Sequence, residues 1–361
     1  MRFPEFEGEW EEKQLGNIIK VNSGKDYKHL DKGDIPVYGT GGYMTSVSEP
    51  LSEIDAVGIG RKGTINKPYL LEAPFWTVDT LFYCTPKKET DILFILSLFR
   101  KINWKVYDES TGVPSLSKQT INKINRFVPT NKEQQKIGKF FSKLDRQIEL
   151  EEQKLELLQQ QKKGYMQKIF SQELRFKDEN GNDYPDWTNE RLGEVTTVTM
   201  GQSPKSVNYT DNSNDTVLIQ GNADIENGLI NPRIYTREVT KLIQKDEIIL
   251  TVRAPVGKLA MAQINACIGR GVCSIKGDKF LYYFLEWFAT QNKWIRFSQG
   301  STFESISGND IRNIHIKIPV EDERTKIIKL LNSLDVLNSK TDLKIQNLKQ
   351  RKQSLLQKIF V

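Results

Sequence analysis

The chain has 361 residues, 38% of them hydrophobic and 27% charged, which allows two or three domains of globular composition. No apolar run approaches the roughly 20 residues of a membrane-spanning helix, and the first residues lack the apolar core of a signal peptide, so we expect a cytoplasmic protein without a membrane segment. Three cysteines without a Cys-x-x-Cys pair, and only two histidines, argue against a disulfide framework and a structural zinc site.

The net charge of +6 lies entirely on two of the four segments into which the sequence divides. Basic and acidic side chains balance, at 17 each, in residues 1–130 and again in residues 175–318. Residues 131–174 carry 9 basic and 7 acidic side chains, and residues 319–361 carry 9 and 5. Binding of nucleic acid by the balanced segments must therefore depend on local basic clusters.

The first segment, residues 1–130, has the pattern of a mixed domain in which short strands predominate. β-Branched and aromatic runs bounded by Gly, Pro and Asp predict strands at residues 18–21, 35–38, 56–59 and 76–83, and a helix over residues 91–100.

Residues 131–174 follow as a long helix with apolar residues at alternating steps of four and three. This heptad seam contains Ile137, Phe141, Leu144, Ile148, Leu155 and Leu158, and it is interrupted by Glu151 and Lys162. About 40 residues without proline reach roughly 60 Å as a helix. Because such a helix cannot bury its seam alone, a partner helix is expected.

The third segment, residues 175–318, predicts strands at 195–199, 217–220, 248–252, 259–262 and 272–275, and a helix over 280–289. Residues 319–361 then form a second long helix with its own heptad seam. That seam contains Ile327, Leu331, Leu334, Ile345, Leu348 and Leu355.

The second half of the chain repeats the first. Residues 129–170 overlay residues 319–360 without a gap, and Trp10 with Leu15-Gly16 reappears as Trp187 with Leu192-Gly193. The repeat predicts an α+β fold in which two β-rich mixed recognition domains, 1–130 and 175–318, are separated by two long antiparallel helices, 131–174 and 319–361. The helices form a coiled coil, and a pseudo-twofold axis relates the two halves.

Three sequence tests for catalysis give no candidate. Residues 58–64 are rich in glycine but lack the spacing of a phosphate-binding loop. Asn231-Pro232-Arg233 stops short of an amino-methyltransferase motif, and the Glu/Lys strings are those expected by chance. The sequence therefore indicates a recognition protein without chemistry of its own.

Two glycine-containing basic turns are the best candidates for DNA contact. Residues 60–64 (Gly-Arg-Lys-Gly-Thr) and residues 251–258 occupy matched places in the two repeats, where backbone N–H groups and cations could approach phosphates or a groove. Each turn alone is equally well explained as a hairpin turn with solvated charges. With weaker candidates from other loops, the predicted DNA-binding residues are Tyr38, Thr40, Tyr43, Arg61, Lys62, Thr64, Thr111, Gln202, Lys205, Gln220, Asn222, Arg253, Lys258, Arg270, Ser301 and Thr302.

The whole chain resembles a specificity subunit of a type I restriction-modification system. The resemblance is carried by the two Trp and Leu-Gly openings, the two basic turns and the two proline-initiated helices that end in Gln-Lys-Ile-Phe. It implies that each recognition domain reads one half-site of an asymmetric double-stranded DNA target and that the helices set the gap. It also implies two modification (methyltransferase) subunits docked on the helices and additional restriction subunits. S-adenosylmethionine, ATP and Mg²⁺ are expected on those partners, and no cofactor on this chain.

A different class of protein stays open at this point. Two β-rich domains on a coiled coil also suit a scaffold that binds proteins or carbohydrate, and the balanced charge of residues 1–130 and 175–318 favours this alternative slightly. The matched basic turns weigh against it.

Overall fold

The computed structural model describes residues 2–294 and 305–360. The chain forms two compact units: the first comprises Met1–Lys154 with Thr341–Val361, and the second comprises Leu155–Lys340. The division falls within both long helices, so each unit contains part of each helix. The domain boundaries predicted from sequence, which treat each helix as a separate segment, stay a prediction.

The first unit contains three small sheets and the start of the first long helix. Its elements in chain order are β1 (Glu11–Gln14), α1 (Leu15–Ile18), β2 (Ile19–Ser23), β3 (Lys32–Gly39), β4 (Gly42–Val47), β5 (Ala56–Gly60), β6 (Tyr69–Leu71), β7 (Trp76–Thr77), β8 (Leu81–Pro86), α2 (Ile92–Lys101), a 3-10 turn (Trp104–Tyr107), α3 (Lys118–Lys123), β9 (Asn125–Val128) and the start of α4 (Asn131–Phe170).

The second unit has more and shorter strands. After α4 its elements are β10 (Thr188–Arg191), α5 (Leu192–Val195), β11 (Val198–Met200), a 3-10 turn (Ser206–Asn208), β12 (Tyr209–Thr210), β13 (Thr216–Ile219), a 3-10 turn (Asn222–Asp224), β14 (Ile225–Glu226), β15 (Leu229–Ile230), β16 (Tyr235–Thr236), β17 (Leu242–Ile243), β18 (Ile248–Thr251), β19 (Leu259–Met261), β20 (Ala266–Ile268), β21 (Val272–Ile275), α6 (Lys279–Thr290), α7 (Gly308–Arg312), β22 (His315–Ile318) and the start of α8 (Glu321–Ile359).

The sheet topology repeats between the units. Strand order β2-β8-β5-β6 in the first unit corresponds to β11-β21-β18-β19 in the second, and the pair β1-β9 corresponds to β10-β22. The parallel pairing of β3 with β7 corresponds to that of β13 with β20. Strand β16 pairs antiparallel with β13 as β4 does with β3, and the second unit adds β14 and β15 to one sheet and β12 and β17 to the other. The longer middle of the second repeat thus adds edge strands to a shared framework.

Most predicted elements are confirmed, and two strands are wrong. The strand predicted at 76–83 is two strands, β7 and β8, which belong to different sheets because residues 78–80 turn between them. The strand predicted at 195–199 begins inside the short helix α5, and only β11 is extended. Both errors lie where β-branched residues continue through a turn, which local composition does not reveal.

The long helices end before the predicted limits. Helix α4 ends at Phe170, where Gln172 adopts a left-handed φ of 65° and the Leu174 N–H donates to the carbonyl of Lys168. A residue in the left-handed conformation after a helix lets the N–H groups that follow donate to the last helix carbonyls, and it redirects the chain. Helix α8 ends at Ile359.

Within the first unit the two helices run antiparallel, as predicted. Asp145 pairs with Lys352, and Glu151, further along α4, pairs with Lys344, which precedes Lys352 on α8. Glu151 and Lys352, which interrupt the heptad seams, are therefore ion-pair positions. Paired charges of this kind favour one register of two helices over others.

The seam residues near the start of each helix also belong to a domain core. Ile137 and Phe141 are buried in one cluster with residues of α2 and with Phe360, and Ile327 and Leu331 are buried with residues of α6. The other predicted seam positions are buried (Ile148, Leu334, Ile345) or half-buried (Leu144, Leu155, Leu158, Leu348, Leu355). Full burial of such a side chain contributes about 1.5–3 kcal/mol, so each helix start holds its unit together.

Candidate nucleic-acid interface

In the first unit, a three-residue turn joins the ends of three strands. This first connector, residues 78–80, lies between β7 and β8. The Val78 N–H donates to the Tyr38 carbonyl at the end of β3 (3.0 Å), and the Arg61 N–H, just after β5, donates to the Thr80 carbonyl (2.8 Å). The connector therefore holds two predicted elements side by side: the basic turn, residues 60–64, and an aromatic loop that contains the predicted residues Tyr38, Thr40 and Tyr43.

The basic turn projects its two cations into solvent. Arg61 and Lys62 are exposed, and neither forms an ion pair with a carboxylate in residues 2–294 and 305–360. The Arg61 guanidinium lies 5.8 Å from the centre of the Phe82 ring. The turn needs glycine at position 60, because a Cβ there would overlap the Thr64 carbonyl.

A polar loop, which lies between the 3-10 turn Trp104–Tyr107 and α3, packs beside the basic turn. The Gly63 N–H donates to the Pro114 carbonyl (2.8 Å), and the Leu116 N–H donates to the Arg61 carbonyl (2.9 Å). Thr111, on the same loop, is exposed, and Thr64 is half-buried.

The aromatic loop is the tight hairpin between β3 and β4. Tyr38 and Tyr43 face each other across it, with ring centres 6.4 Å apart, and Thr40 occupies the turn. The Tyr69 hydroxyl donates to the Gly39 carbonyl (2.6 Å) and fixes the hairpin to β6. The hairpin, the basic turn, the polar loop and the first connector form what we call the first recognition face.

The second unit repeats the arrangement with different side chains. A second connector, residues 269–271, lies between β20 and β21. The Gly269 N–H donates to the Ile219 carbonyl (2.7 Å), and the Val252 N–H donates to the Gly271 carbonyl (2.9 Å). These bonds are equivalent to those of the first connector, so Arg270 occupies the place of Asp79.

Isolated backbone bridges align the two basic turns. Lys62 bridges to Ser115 in the first unit, and Arg253 bridges to Ser305 in the second. Lys62 is therefore the structural counterpart of Arg253. Arg253 is exposed and forms no ion pair with a carboxylate in the described part of the chain.

Three predicted residues meet at the second connector. The Gln202 N–H donates to the Ile268 carbonyl (2.9 Å), and the Arg270 N–H donates to Ser203 Oγ (3.1 Å), which in turn donates to Gln220 Oε1 (3.3 Å). Gln202, Gln220 and Arg270 thus belong to one surface. With the Arg253 turn they form the second recognition face.

Lys258 has a structural role, in contrast to the free cation that its sequence context indicates. Its Nζ donates to the carbonyls of Asn222 (3.1 Å) and Ile225, so it holds the 3-10 turn that follows β13. Asn222 itself is half-buried. Lys205 is exposed, and its backbone N–H donates to Glu238, which holds the pKa of that carboxyl below its usual range. Ser301 and Thr302 lie outside the described residues.

Sequence reasoning singled out Arg270 in the second connector but missed the first connector and one cation. Gly24 and Gly201 occupy equivalent places, and a Cβ on either would overlap a connector carbonyl, that of Val78 or Gly269. The residue after Gly24 is the exposed Lys25, in the place of Gln202. The matched Gly24-Lys25 and Gly201-Gln202 pairs are the signal that could have revealed this position.

Residues 2–294 and 305–360 contain neither a metal-binding cluster nor a membrane-spanning helix. No group of three or more His, Cys, Asp or Glu side chains is placed to hold a metal ion. No helix there combines the length and the apolar character needed to cross a membrane.

Comparison with known proteins gives consistent matches. The sequence model described as "Type I restriction modification DNA specificity domain" matches residues 7–160 and 184–350. The putative type I restriction enzyme MjaX specificity subunit of Methanocaldococcus jannaschii is 30% identical over 68% of this chain, and the alignment spans 61% of that subunit. The MjaVIII specificity subunit of the same organism is 25% identical, over 79% of this chain and 71% of the relative.

Solved structures share the fold over nearly the whole chain. The type I restriction-modification S subunit from M. genitalium matches with a TM-score of 0.69 at 16% identity, covering 98% of this chain and 96% of that one. A chain from a study of complex assembly and conformational transition of the type I R-M system matches with a TM-score of 0.61 at 20% identity, covering 99% and 98%. Because the family model matches both repeats, the chain belongs to the type I restriction-modification DNA specificity family.

Proposed function

We propose that this chain is the DNA sequence-specificity subunit of a type I restriction-modification enzyme. In this proposal each recognition face contacts one half-site of a bipartite, asymmetric double-stranded target. The observation that carries the proposal is the pair of equivalent faces with unlike side chains: Asp79 in one has Arg270 as its counterpart in the other.

The chemistry of each face suits duplex DNA. Exposed cations such as Arg61 and Arg253 can contact phosphates, which position a protein on the duplex. Arginine pairs with guanine edges, and glutamine pairs with adenine edges, in the major groove. Since Gln202, Gln220 and Arg270 have no matching set in the first unit, the two half-sites should differ in sequence.

The long helices are proposed to set the gap between half-sites and to dock two modification subunits. Methylation of a base in a duplex requires that the base be flipped into a pocket, and we assign that pocket and S-adenosylmethionine to the modification subunits. Restriction subunits, with ATP and Mg²⁺, would join the same assembly. This chain then contributes recognition and assembly, in the cytoplasm. No comparison supports the alternative scaffold that binds proteins or carbohydrate.

The test is to map methylated bases in cells that express this subunit together with its modification partners. The expected result is adenine methylation at one bipartite, asymmetric sequence, present only when the subunit is expressed. An Arg61→Ala, Arg253→Ala double variant should reduce methylation at that sequence without creating a new one. Methylation that is independent of the subunit would contradict the proposal.

A further inference from the structure

The tip of the β3–β4 hairpin exposes apolar surface. Tyr43 is 64% exposed and Met44 is 53% exposed. A Cβ added at Gly41 or at Gly42 would meet no atom within 4 Å, so the tip projects into open space. Neighbouring apolar surface that a unit leaves exposed in this way is typical of a contact site.

The two apolar side chains lie on opposite faces of the hairpin. Tyr43 pairs directly with Tyr38, and Met44 is the extra residue of a bulge between this pair and the next. The Met44 sulfur lies 2.7 Å from where a Cβ of Gly39 would be placed. Because Tyr38 and Gly39 are successive strand residues, their side-chain directions are opposite. Both faces of the tip are therefore apolar, and a flat protein surface could cover only one of them.

The hairpin is rigidly attached to its unit. Its base contributes Val37 and Val47, both buried, to a cluster with Trp76. The hydrogen bond from Tyr69 to Gly39 and the bond from Val78 to Tyr38 fix the strand that leads to the tip. A preorganised element loses little conformational freedom on binding.

The surroundings of the tip complement a duplex. Residues 35–48 contain no charged side chain, whereas Arg61 and Lys62, across the first connector, are exposed cations. Phosphates line the rims of a DNA groove, and the base edges and base steps within it accept uncharged and apolar side chains. The major groove is wide enough for a two-stranded β-ribbon.

We propose that the β3–β4 hairpin inserts into a groove of the first half-site, where Tyr43 and Met44 pack between or against bases and unstack one base step. This inference rests on the proposed function and adds a mode of recognition to it. In the second unit, residues 220–234 separate β13 from its antiparallel neighbour β16, and the tight hairpin within them, β14–β15, pairs with β19 and not with β13. The unstacked step is therefore expected in one half-site only.

The experiment uses the full chain in complex with its modification subunits and duplexes that carry the mapped target, with 2-aminopurine at successive positions. The test variant is Tyr43→Ser, Met44→Ser. The control is Val106→Ser, which removes an apolar side chain that is 72% exposed outside the hairpin of the same unit. Arg61→Ala serves as the electrostatic comparison. Equal thermal unfolding of the two serine variants verifies that the fold is retained.

The double variant should bind the target about tenfold or more weakly, a size typical of stacking contacts. Its affinity should have the same salt dependence as that of the unaltered chain, because an apolar contact releases no counterions. Arg61→Ala should instead reduce the salt slope by about one. The unaltered complex should raise 2-aminopurine fluorescence at one position of the first half-site other than the adenine that is methylated, because flipping unstacks that adenine in any case. The double variant should not raise the fluorescence at this other position.

Three results would each overturn the hairpin inference while leaving the proposed function intact. They are undiminished affinity of the double variant, the same 2-aminopurine fluorescence in the complexes of the double variant and the unaltered chain, and a reduced salt slope for the double variant. A complex of the unaltered chain that does not distinguish its mapped target from unrelated duplex would instead count against the proposed function.

Discussion

Arg175 and Glu323 form a two-pronged ion pair at the start of helix α8. Nε lies 2.8 Å from Oε1, and Nη2 lies 2.8 Å from Oε2. The Glu323 side chain is fully buried and also accepts a hydrogen bond from Trp187 Nε1 (2.9 Å). The pair fixes the segment before β10 to the first turn of the helix.

The first unit repeats this arrangement at the start of α4. Arg2 Nε lies 2.8 Å from Oε1 of the buried Glu133, and Trp10 Nε1 donates to the same oxygen (3.3 Å). A carboxylate in the first turn also interacts favourably with the helix dipole. The same three residue types thus attach each unit to its long helix.

Replacement of Glu323 by glutamine should destabilise the second unit. The variant loses the charge that neutralises Arg175 in a site where Glu323 is inaccessible, and breaking a buried pair of this kind costs about 3 kcal/mol. Glu321→Gln, at an exposed position of the same helix turn, is the control. Urea unfolding of the full chain, followed by tryptophan fluorescence, measures both. Equal midpoints for the two variants would contradict a stabilising role.

Lys162 and Lys352 occupy equivalent positions in the two long helices. Lys162 Nζ lies 2.7 Å from both Glu286 Oε2 and Asp335 Oδ1, so Lys162→Met leaves two carboxylates without their cation. Its counterpart Lys352 pairs with Asp145, which also pairs with Arg100. The loss of Lys352 therefore leaves Asp145 neutralised.

We expect Lys162→Met to cost about 3 kcal/mol of unfolding free energy and Lys352→Met less than about 1 kcal/mol. The two variants carry the same substitution at matched positions, so each serves as the control for the other. Chemical denaturation of the full chain provides the measurement. A larger stability loss in Lys352→Met than in Lys162→Met would contradict the conclusion that Lys162 neutralises carboxylates that have no other cation.

The environment of Glu286 should make the free energy of unfolding depend on pH with a defined sign. Burial raises the pKa of its carboxyl, Lys162 lowers it and Asp335 raises it again, and the resulting pKa is above the ordinary value. Between the ordinary carboxyl pKa and this raised value, the folded chain binds more protons than the unfolded chain. The contribution of Glu286 is therefore present below the ordinary pKa and is lost as the pH rises through the raised pKa.

Glu286→Gln should consequently gain stability relative to the unaltered chain as the pH rises through that window, because glutamine stays neutral. Unfolding free energies of both proteins, measured from about pH 4 to pH 8, test this. A difference that is constant over the range would contradict the assignment.

The variants Arg253→Ala and Lys258→Ala should distinguish a side chain that contacts DNA from one that stabilises the fold. Arg253 is exposed, so its loss should weaken target binding and reduce the salt slope by about one without changing stability. Lys258 donates to two carbonyls, so its loss should lower the unfolding free energy by about 1–3 kcal/mol. Salt titrations of DNA binding and denaturation curves distinguish the two. A loss of unfolding free energy in Arg253→Ala would show that this side chain stabilises the fold.

Removal of residues 154–157 should test whether the helices set the gap. The deletion shortens α4 by about 6 Å, equivalent to one or two base pairs at 3.4 Å each. Methylated-base mapping should find both half-sites unchanged and the gap between them altered. Altered half-sites with an unchanged gap would exclude this role, and a Lys154→Ala substitution at full length should leave the target as it was.

Sequence periodicity identified what is regular and repeated. The seam residues Ile137 and Ile327 followed from the heptads, and the antiparallel helices followed from the repeat. The interruptions Lys162 and Lys352 were visible but unexplained, because their partners are remote in sequence. The connector at Asp79 was hidden within a β-branched run. The carbonyl contacts of Lys258 could not be foreseen, because a basic residue beside a turn has the same local pattern whether its ammonium faces solvent or a carbonyl.

The close backbone approach at Gly24 and Gly201 has a practical consequence for engineering new target preferences. Any side chain at either position would displace the connector that presents Asp79 or Arg270. A library that randomises the exposed positions of a recognition face should therefore keep its glycine unchanged. Altered binding then reflects new contacts with DNA bases and not displacement of the connector.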